Sequence, residues 1–291
     1  MSQYKTCSVT FSKPDYVVPL VVRILTGWMA NTLPTGKVEH AAVPDGLGFY
    51  AVRSLHANWF VLKMESGEAM IFDAGYWTSG KNGLPWELGN WFCCRKGDAK
   101  YKGSLHAIGL DPSRVTVAAM THSDIDHVGG LPVFENAAVY MGEGERPLVE
   151  GEVEHFKGLK AARITGLEYL KDGDQIRFGD YVATCFSTPG HTDGSVSYEF
   201  RHLNDSGKVL IFIGDAFFTD KKGHFAPRKL EGIHMHKEQV PGAVDIVLQR
   251  CAAIRAQNAD ANILIVSCHT GLTDYDTLAA SPALQESKKD R

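Results

Sequence analysis

The sequence predicts an α/β fold. Short apolar runs of strand length recur between Trp59 and Val266, turn residues separate them, and one longer stretch, 243–257, carries helical periodicity. Several of the apolar runs end on a histidine or an aspartate: Met120 leads to His122, Ser187 to His191, Ile213 to Asp215 and Val266 to His269. Loops leaving one edge of a sheet core can gather such side chains in one cleft. The chain has 291 residues, 44% hydrophobic and 22% charged, which is material for one large core.

In chain order, residues 1–48 read as an N-terminal extension with an amphipathic segment, and residues 49–291 as one domain. Val17–Ala30 is apolar-rich, but Pro19 and Arg23 break it, so it reads as a surface helix and not a membrane span. Strands are expected at Trp59–Lys63 and Ala69–Asp73, joined by the hairpin signal Glu65-Ser66-Gly67-Glu68. Residues 76–103, rich in glycine, tryptophan and lysine, read as a long loop of the kind that lies over a site. A short helix near 104–108 and a turn at Asp111-Pro112-Ser113 lead to a buried strand, Val115–Met120. Further strands are expected at Ala138–Met141, at Gln175–Phe178 and Tyr181–Ser187 around Gly179-Asp180, and at Ser195–Phe200. A polar turn at Asn204–Gly207 precedes the apolar strand Val209–Ile213. In the helix 243–257, Ile246, Val247, Leu248 and Ile254 are placed near one face, and Ile263–Val266 is the last strand.

The net charge of −4, with no basic stripe, makes nucleic acid an unexpected partner. The six cysteines, Cys7, Cys93, Cys94, Cys185, Cys251 and Cys268, follow neither a disulfide framework nor a zinc-finger spacing. Free thiols in a reducing compartment, and with no evident secretory signal a cytoplasmic location, are expected. A small molecule is the expected partner, with a homodimer as the possible assembly.

The densest chemistry lies at His122-Ser123-Asp124-Ile125-Asp126-His127-Val128, followed by Gly129-Gly130. Two imidazoles and two carboxylates crowd into one short segment. Desolvating neighbouring carboxylates costs several kcal/mol each unless a cation compensates, and a divalent metal does so. If the segment stays extended, 122, 124 and 126 point to one side. Asp126 and His127 then diverge, which suits two metals better than one, and the glycine pair permits the bend that follows.

Thr121-His122-Ser123-Asp124-Ile125-Asp126-His127-Val128-Gly129-Gly130 resembles the H-x-H-x-D-H signature of the metallo-β-lactamase superfamily. Four further motifs resemble that family in order: Ile71-Phe72-Asp73-Ala74-Gly75, Thr188-Pro189-Gly190-His191-Thr192-Asp193-Gly194-Ser195, Phe212-Ile213-Gly214-Asp215 and Val266-Ser267-Cys268-His269. The resemblance covers roughly residues 58–271 and implies an αββα four-layer sandwich with a two-metal site at the sheet edges. By that resemblance residues 49–291 are a catalytic domain. His122 and His191 hold one metal, Asp126, His127 and His269 the other, and Asp215 bridges them. Asp73 orders the motif loop.

Asp124 departs from the family, where a second histidine is usual. If Asp124 binds, the ligand set becomes more anionic and harder, so iron or manganese becomes credible beside zinc. The implied enzyme is a hydrolase that uses a metal-bound hydroxide, oriented by Asp126 or Asp215, on a small ester, lactone or related carbonyl substrate. Gly109-Leu110-Asp111-Pro112-Ser113 resembles the lactonase-like branch. Two alternatives stand beside it: a di-iron oxidoreductase of the flavodiiron type without the flavodoxin domain, suggested by a carboxylate at position 124, and a phosphodiesterase. Tyr76, His224, His234 and His236 are candidates for a general acid, and Cys268 for a neighbour of the site.

Overall fold

A computed structural model describes residues 8–10, 47–54, 57–75, 101–153, 163–227 and 235–289. The chain divides into two compact units, Met1–Tyr140 with Pro147–Glu168 and Met141–Arg146 with Tyr169–Arg291. The segment Val17–Ala30, most of the loop 76–103, Tyr76, His234, Cys7, Cys93 and Cys94 lie outside the described residues.

The first unit carries most of a sheet built from β2 (Leu47–Ser54), β3 (Ala57–Met64), β4 (Ala69–Phe72), β5 (Val115–Met120), β6 (Ala138–Gly142) and β8 (Leu167–Leu170), in the order β2-β3-β4-β5-β6-β8. A separate antiparallel pair joins β1 (Ser8–Thr10) to β7 (Arg163–Thr165). The expected hairpin forms: Lys63 pairs with Ala69 across the turn at Glu65-Ser66-Gly67. Strand β2 was not anticipated from the sequence. Its register against β3 runs from Leu47↔Met64 to Ser54↔Ala57, and it buries Phe49 and Val52. Strand β4 pairs with β5 in parallel, so both chains leave the sheet at the same edge, one at Asp73 and the other at Thr121. Parallel strands need a long crossover, and a helix over residues 101–107 lies on it.

The second unit holds β9 (Gln175–Phe178), β10 (Tyr181–Ser187), β11 (Val196–His202), β12 (Asp205–Gly214), β13 (Asn262–Ser267) and β14 (Gly271–Asp274), ordered β14-β13-β12-β11-β10-β9. Both β10 and β12 run antiparallel to β11, so they point the same way, and β13 is parallel to β12. The C-terminal ends of β10, β12 and β13 therefore share one edge, from which the segments bearing His191, Asp215 and His269 emerge. The polar turn expected at 204–207 is tighter: Asp205 already pairs with His202.

In the first unit a short helix, α1 (Ile125–Val128), interrupts the metal motif, and a second, α2 (Arg146–Val149), follows β6. The second unit adds α3 (Val240–Gln257), α4 (Tyr275–Ala279) and α5 (Pro282–Lys289). Helix α3 packs Val240, Ala243, Val244, Val247, Cys251 and Ile254 against Val209, Ile211 and Ile213 of β12. These positions recur every three or four residues, the spacing of one helical face. Ile246, placed on that face by the sequence reading, is 37% exposed, because one residue before Val247 is a 100° rotation away from the core. The other face of β12, Leu210 and Phe212, is buried too, which explains its unbroken apolar run. Burying each such aliphatic side chain contributes about 1.5–3 kcal/mol. Burial also pushes the thiols of Cys185 and Cys251 up to about 12. No described helix is long and apolar enough to cross a membrane.

Candidate metal centre

In the first unit the ligand-type residues gather where β4 and β5 end. The backbone N–H of Asp73 donates to Ala119 O at 3.0 Å, and the Asp73 carboxylate accepts from Thr121 N at 2.8 Å. Asp73 stands at φ 55, alone among the described non-glycine residues in the left-handed region. That backbone is costly for a residue with a Cβ and persists where its surroundings hold it. The hold is visible: Ala74 N donates to His127 O at 2.6 Å and Gly130 N to Gly75 O at 3.0 Å. A Cβ on Gly130 would stand 2.1 Å from Ala74 O, so only glycine lets the motif loop close on this turn. The Tyr101 hydroxyl also donates to Ala74 O, at 2.6 Å, from a ring stacked on Trp59.

Hydrogen bonds on the histidines decide which nitrogen faces outward. His127 Nδ1 is 2.9 Å from Asp73 Oδ2, so it donates there and its lone pair lies on Nε2. Thr121 Oγ1 is 2.9 Å from Asp73 Oδ2 and 3.0 Å from His122 Nδ1. A hydroxyl has one proton, which goes to the carboxylate, so His122 Nδ1 is the donor to Thr121 and its lone pair is again on Nε2. Burial would raise the Asp73 pKa. The electrostatic pull and hydrogen bond of His127, the pull of His122 and the Thr121 N–H outweigh it and hold the carboxyl below its ordinary range. Ligand histidines are typically held this way, with the far ring N–H on a carboxylate or a hydroxyl.

The segment 122–127 does not stay extended, the condition on which 122, 124 and 126 would point to one side. His127 N and Val128 N both donate to Asp124 O, which starts the helical turn α1 and swings Asp126 and His127 onto it. His122 Nε2 lies 3.7 Å from Asp124 Oδ2, His127 Nε2 lies 3.8 Å from Asp126 Oδ2, and the two imidazole centroids are 4.0 Å apart.

In the second unit Asp215 stands between two histidines. Its Oδ2 is 3.0 Å from His269 Nε2 and 3.9 Å from His191 Nε2. The parallel β12–β13 pair sets this: Gly214 pairs with Ser267, and Cys268 N donates to Gly214 O. Phe218 meets the His269 ring edge-on at 5.6 Å. Cys268 is buried beside this edge. Backbone bonds from Met235 N to His191 O and from His236 N to Gly190 O clamp the His191 loop, and His236 Nε2 lies 3.0 Å from Asp193 Oδ1. His224 belongs to a turn whose backbone is tied to Asp220. Sequence reasoning missed Thr121 as a relay and the buried Glu145; in Gly142-Glu143-Gly144-Glu145 nothing but the glycine spacing separates that residue from a solvated turn.

The donor set in each unit fits a divalent ion. It consists of imidazole nitrogens and carboxylate oxygens, and two donors held about 2.0–2.2 Å from one ion stand about 3–4 Å apart, the separations found here. The superfamily model of the metallo-β-lactamases matches residues 52–269, well over half of the chain. The chain belongs to the metallo-β-lactamase superfamily. Among relatives of this superfamily member, a hydroxyacylglutathione hydrolase of Acaryochloris marina is 34% identical over 103 residues, 34% of this chain and 35% of that protein. One of Neisseria meningitidis serogroup A is 32% identical over 143 residues, 44% of this chain and 50% of that protein. The chain thus spans half or less of these relatives' length. Among solved structures, a B3 metallo-β-lactamase described as having an active-site glutamic acid superposes with a TM-score of 0.56 at 17% identity, over 94% of this chain and 97% of the other. A Cronobacter sakazakii metallo-β-lactamase with a HARLDQ motif gives 0.53 at 15% identity over 96% of each. At these identities the likeness shows the fold, the α/β sandwich of the metallo-β-lactamase type.

Proposed function

We propose that this metallo-β-lactamase superfamily member hydrolyses a small acyl substrate, an ester, lactone or thioester, with two divalent ions, zinc foremost. The observation that carries the reading is the superfamily match over 52–269, a span containing every candidate ligand. The relatives' name, hydroxyacylglutathione hydrolase, favours an acyl group on a thiol. His122, Asp124 and His191 would hold one ion, Asp126, His127 and His269 the other, and Asp215 both. Bound there, the ions would supply Lewis acidity toward the acyl oxygen and toward water. The chain's own work is orientation. Asp73 keeps the His127 lone pair on Nε2, Thr121 does the same for His122, and the carboxylates of Asp126 and Asp215 accept from the attacking water and aim it.

The test is elemental analysis of protein purified without chelator, followed by assays on thioesters, esters, lactones and phosphodiesters. We expect two metals per chain and acyl hydrolysis that chelation abolishes and zinc restores. Metal-free protein, or hydrolysis indifferent to chelator, would overturn the reading. Asp124 also supports a second reading, since an added carboxylate favours harder ions. Iron as the native metal with oxygen consumption, and no acyl hydrolysis, would select the di-iron oxidoreductase. Cleavage confined to phosphodiesters would select the phosphodiesterase.

A further inference from the structure

The loop bearing His191 is braced by a segment that no motif marks. Residues 142–145 lie flush against residues 193–196. A Cβ built on Gly194 would stand 2.0 Å from Glu145 N and 2.1 Å from the carbonyl carbon of Gly144, and one on Gly144 would be 2.8 Å from Gly194 Cα. Two glycine backbones can meet this closely where residues with side chains cannot. The approach delivers Glu145, fully buried, to the Thr192 hydroxyl, which donates to Oε1. Thr192 Oγ1 also lies 2.7 Å from Ser195 Oγ, and Thr192 N donates to Ser195 Oγ at 3.1 Å.

Proton accounting gives this network a direction. Each hydroxyl has one proton, and a carboxylate only accepts. Thr192 therefore donates to Glu145, and Ser195 donates to Thr192. The result is a one-way chain, Ser195 to Thr192 to Glu145, built around the residue that follows His191. On the other side of His191, Gly190 N donates to Thr192 O at 3.1 Å, with Gly190 at φ 141.

We propose that Glu145 is a positioning residue of the metal site, orienting His191 through Thr192. The inference rests on the reading of His191 as a ligand. A buried carboxylate costs desolvation that an apolar residue would avoid. What it adds is a charge-assisted bond, roughly twice as strong as a neutral one, which fixes the hydroxyl chain in one sense. Groups that orient ligand histidines typically matter about 10–100-fold in metal affinity.

The experiment compares Glu145→Ala, Glu145→Gln, Thr192→Val and Thr192→Ser in the full chain. Zinc affinity is read by competition with a chromophoric chelator, beside the melting temperature of each metal-free protein. Glu145→Ala and Thr192→Val should hold zinc about 10–100-fold more weakly. Glu145→Gln and Thr192→Ser, which keep an acceptor and a hydroxyl, should recover most of that loss. Wild-type zinc affinity in the Ala and Val variants would overturn the inference. So would equal losses in the conservative variants that track only the metal-free melting temperature, since packing alone would then explain them. If Glu145→Ala does not fold, the two Thr192 variants decide between the same outcomes. A wild-type chain that holds no zinc is a separate result, needing no variant, and it would overturn the metal-site reading itself.

Discussion

Asp124 carries the chemical individuality of this chain. It lies 3.7 Å from His122 Nε2, a carboxylate where the family signature has an imidazole. If two divalent ions bind as proposed, three carboxylates and one hydroxide would leave a formally neutral site, whereas a histidine at 124 would leave one positive charge. Replacing Asp124 should therefore change the metal content before anything else. Asp124→Ala should lower the content from two ions per chain to about one, and Asp124→His should keep two while strengthening the preference for zinc over iron or manganese. Elemental analysis after equilibration with mixed metals checks both. Full occupancy and unchanged turnover in Asp124→Ala would remove Asp124 from the ligand set.

Among the elements, the short helix α4, which follows soon after the motif ending at His269, offers a measurement of stability. Asp274 caps it, accepting from Thr277 N at 2.8 Å and from Thr277 Oγ1 at 2.7 Å. Burial would raise the Asp274 pKa, but those two bonds outweigh it and hold the carboxyl below 3.8. A depressed folded-state pKa contributes stability that is fully present above the unfolded value and is lost as pH falls through the folded one. Asp274→Ala should thus cost about 1 kcal/mol at neutral pH, and the gap to wild type should begin to narrow as pH falls below about 4. Urea titrations at pH 7 and pH 3.5 give the two differences; equal differences would mean that the carboxylate's charge contributes nothing. Elements also differ in how well sequence reveals them. The strand Val115–Met120 and the hairpin at Gly179-Asp180 form where the apolar runs and turn residues place them. Strands β2 and β14 escaped because edge strands make one set of ladder contacts and need no long apolar run. The helical turn α1 escaped because the pull of Asp124 O on two following N–H groups has no compositional sign.

On the scale of the whole molecule, the proposed ligands come from both compact units, four from the first and three from the second. Ions bound only by the folded chain would stabilise it by mass action, about 2.7 kcal/mol at a free metal concentration one hundred times the Kd. Thermal melts should accordingly rise with added zinc and fall with chelator, and superimposable melts would show that the folded chain holds no zinc. The sequence by itself determined the α/β class, the five motifs and the identity of the candidate ligands. Apolar periodicity and the chemistry of clustered imidazoles and carboxylates are properties of residue order. Tertiary structure alone decided which nitrogen His122 and His127 offer, the left-handed turn at Asp73, the buried face of α3 and the role open to Glu145. Each depends on contacts between residues distant in the chain: Asp73 on Thr121 and His127, Val247 on β12, Glu145 on Thr192. Hydrogen-bond direction and burial are set by those neighbours in space, and residue order does not encode them locally.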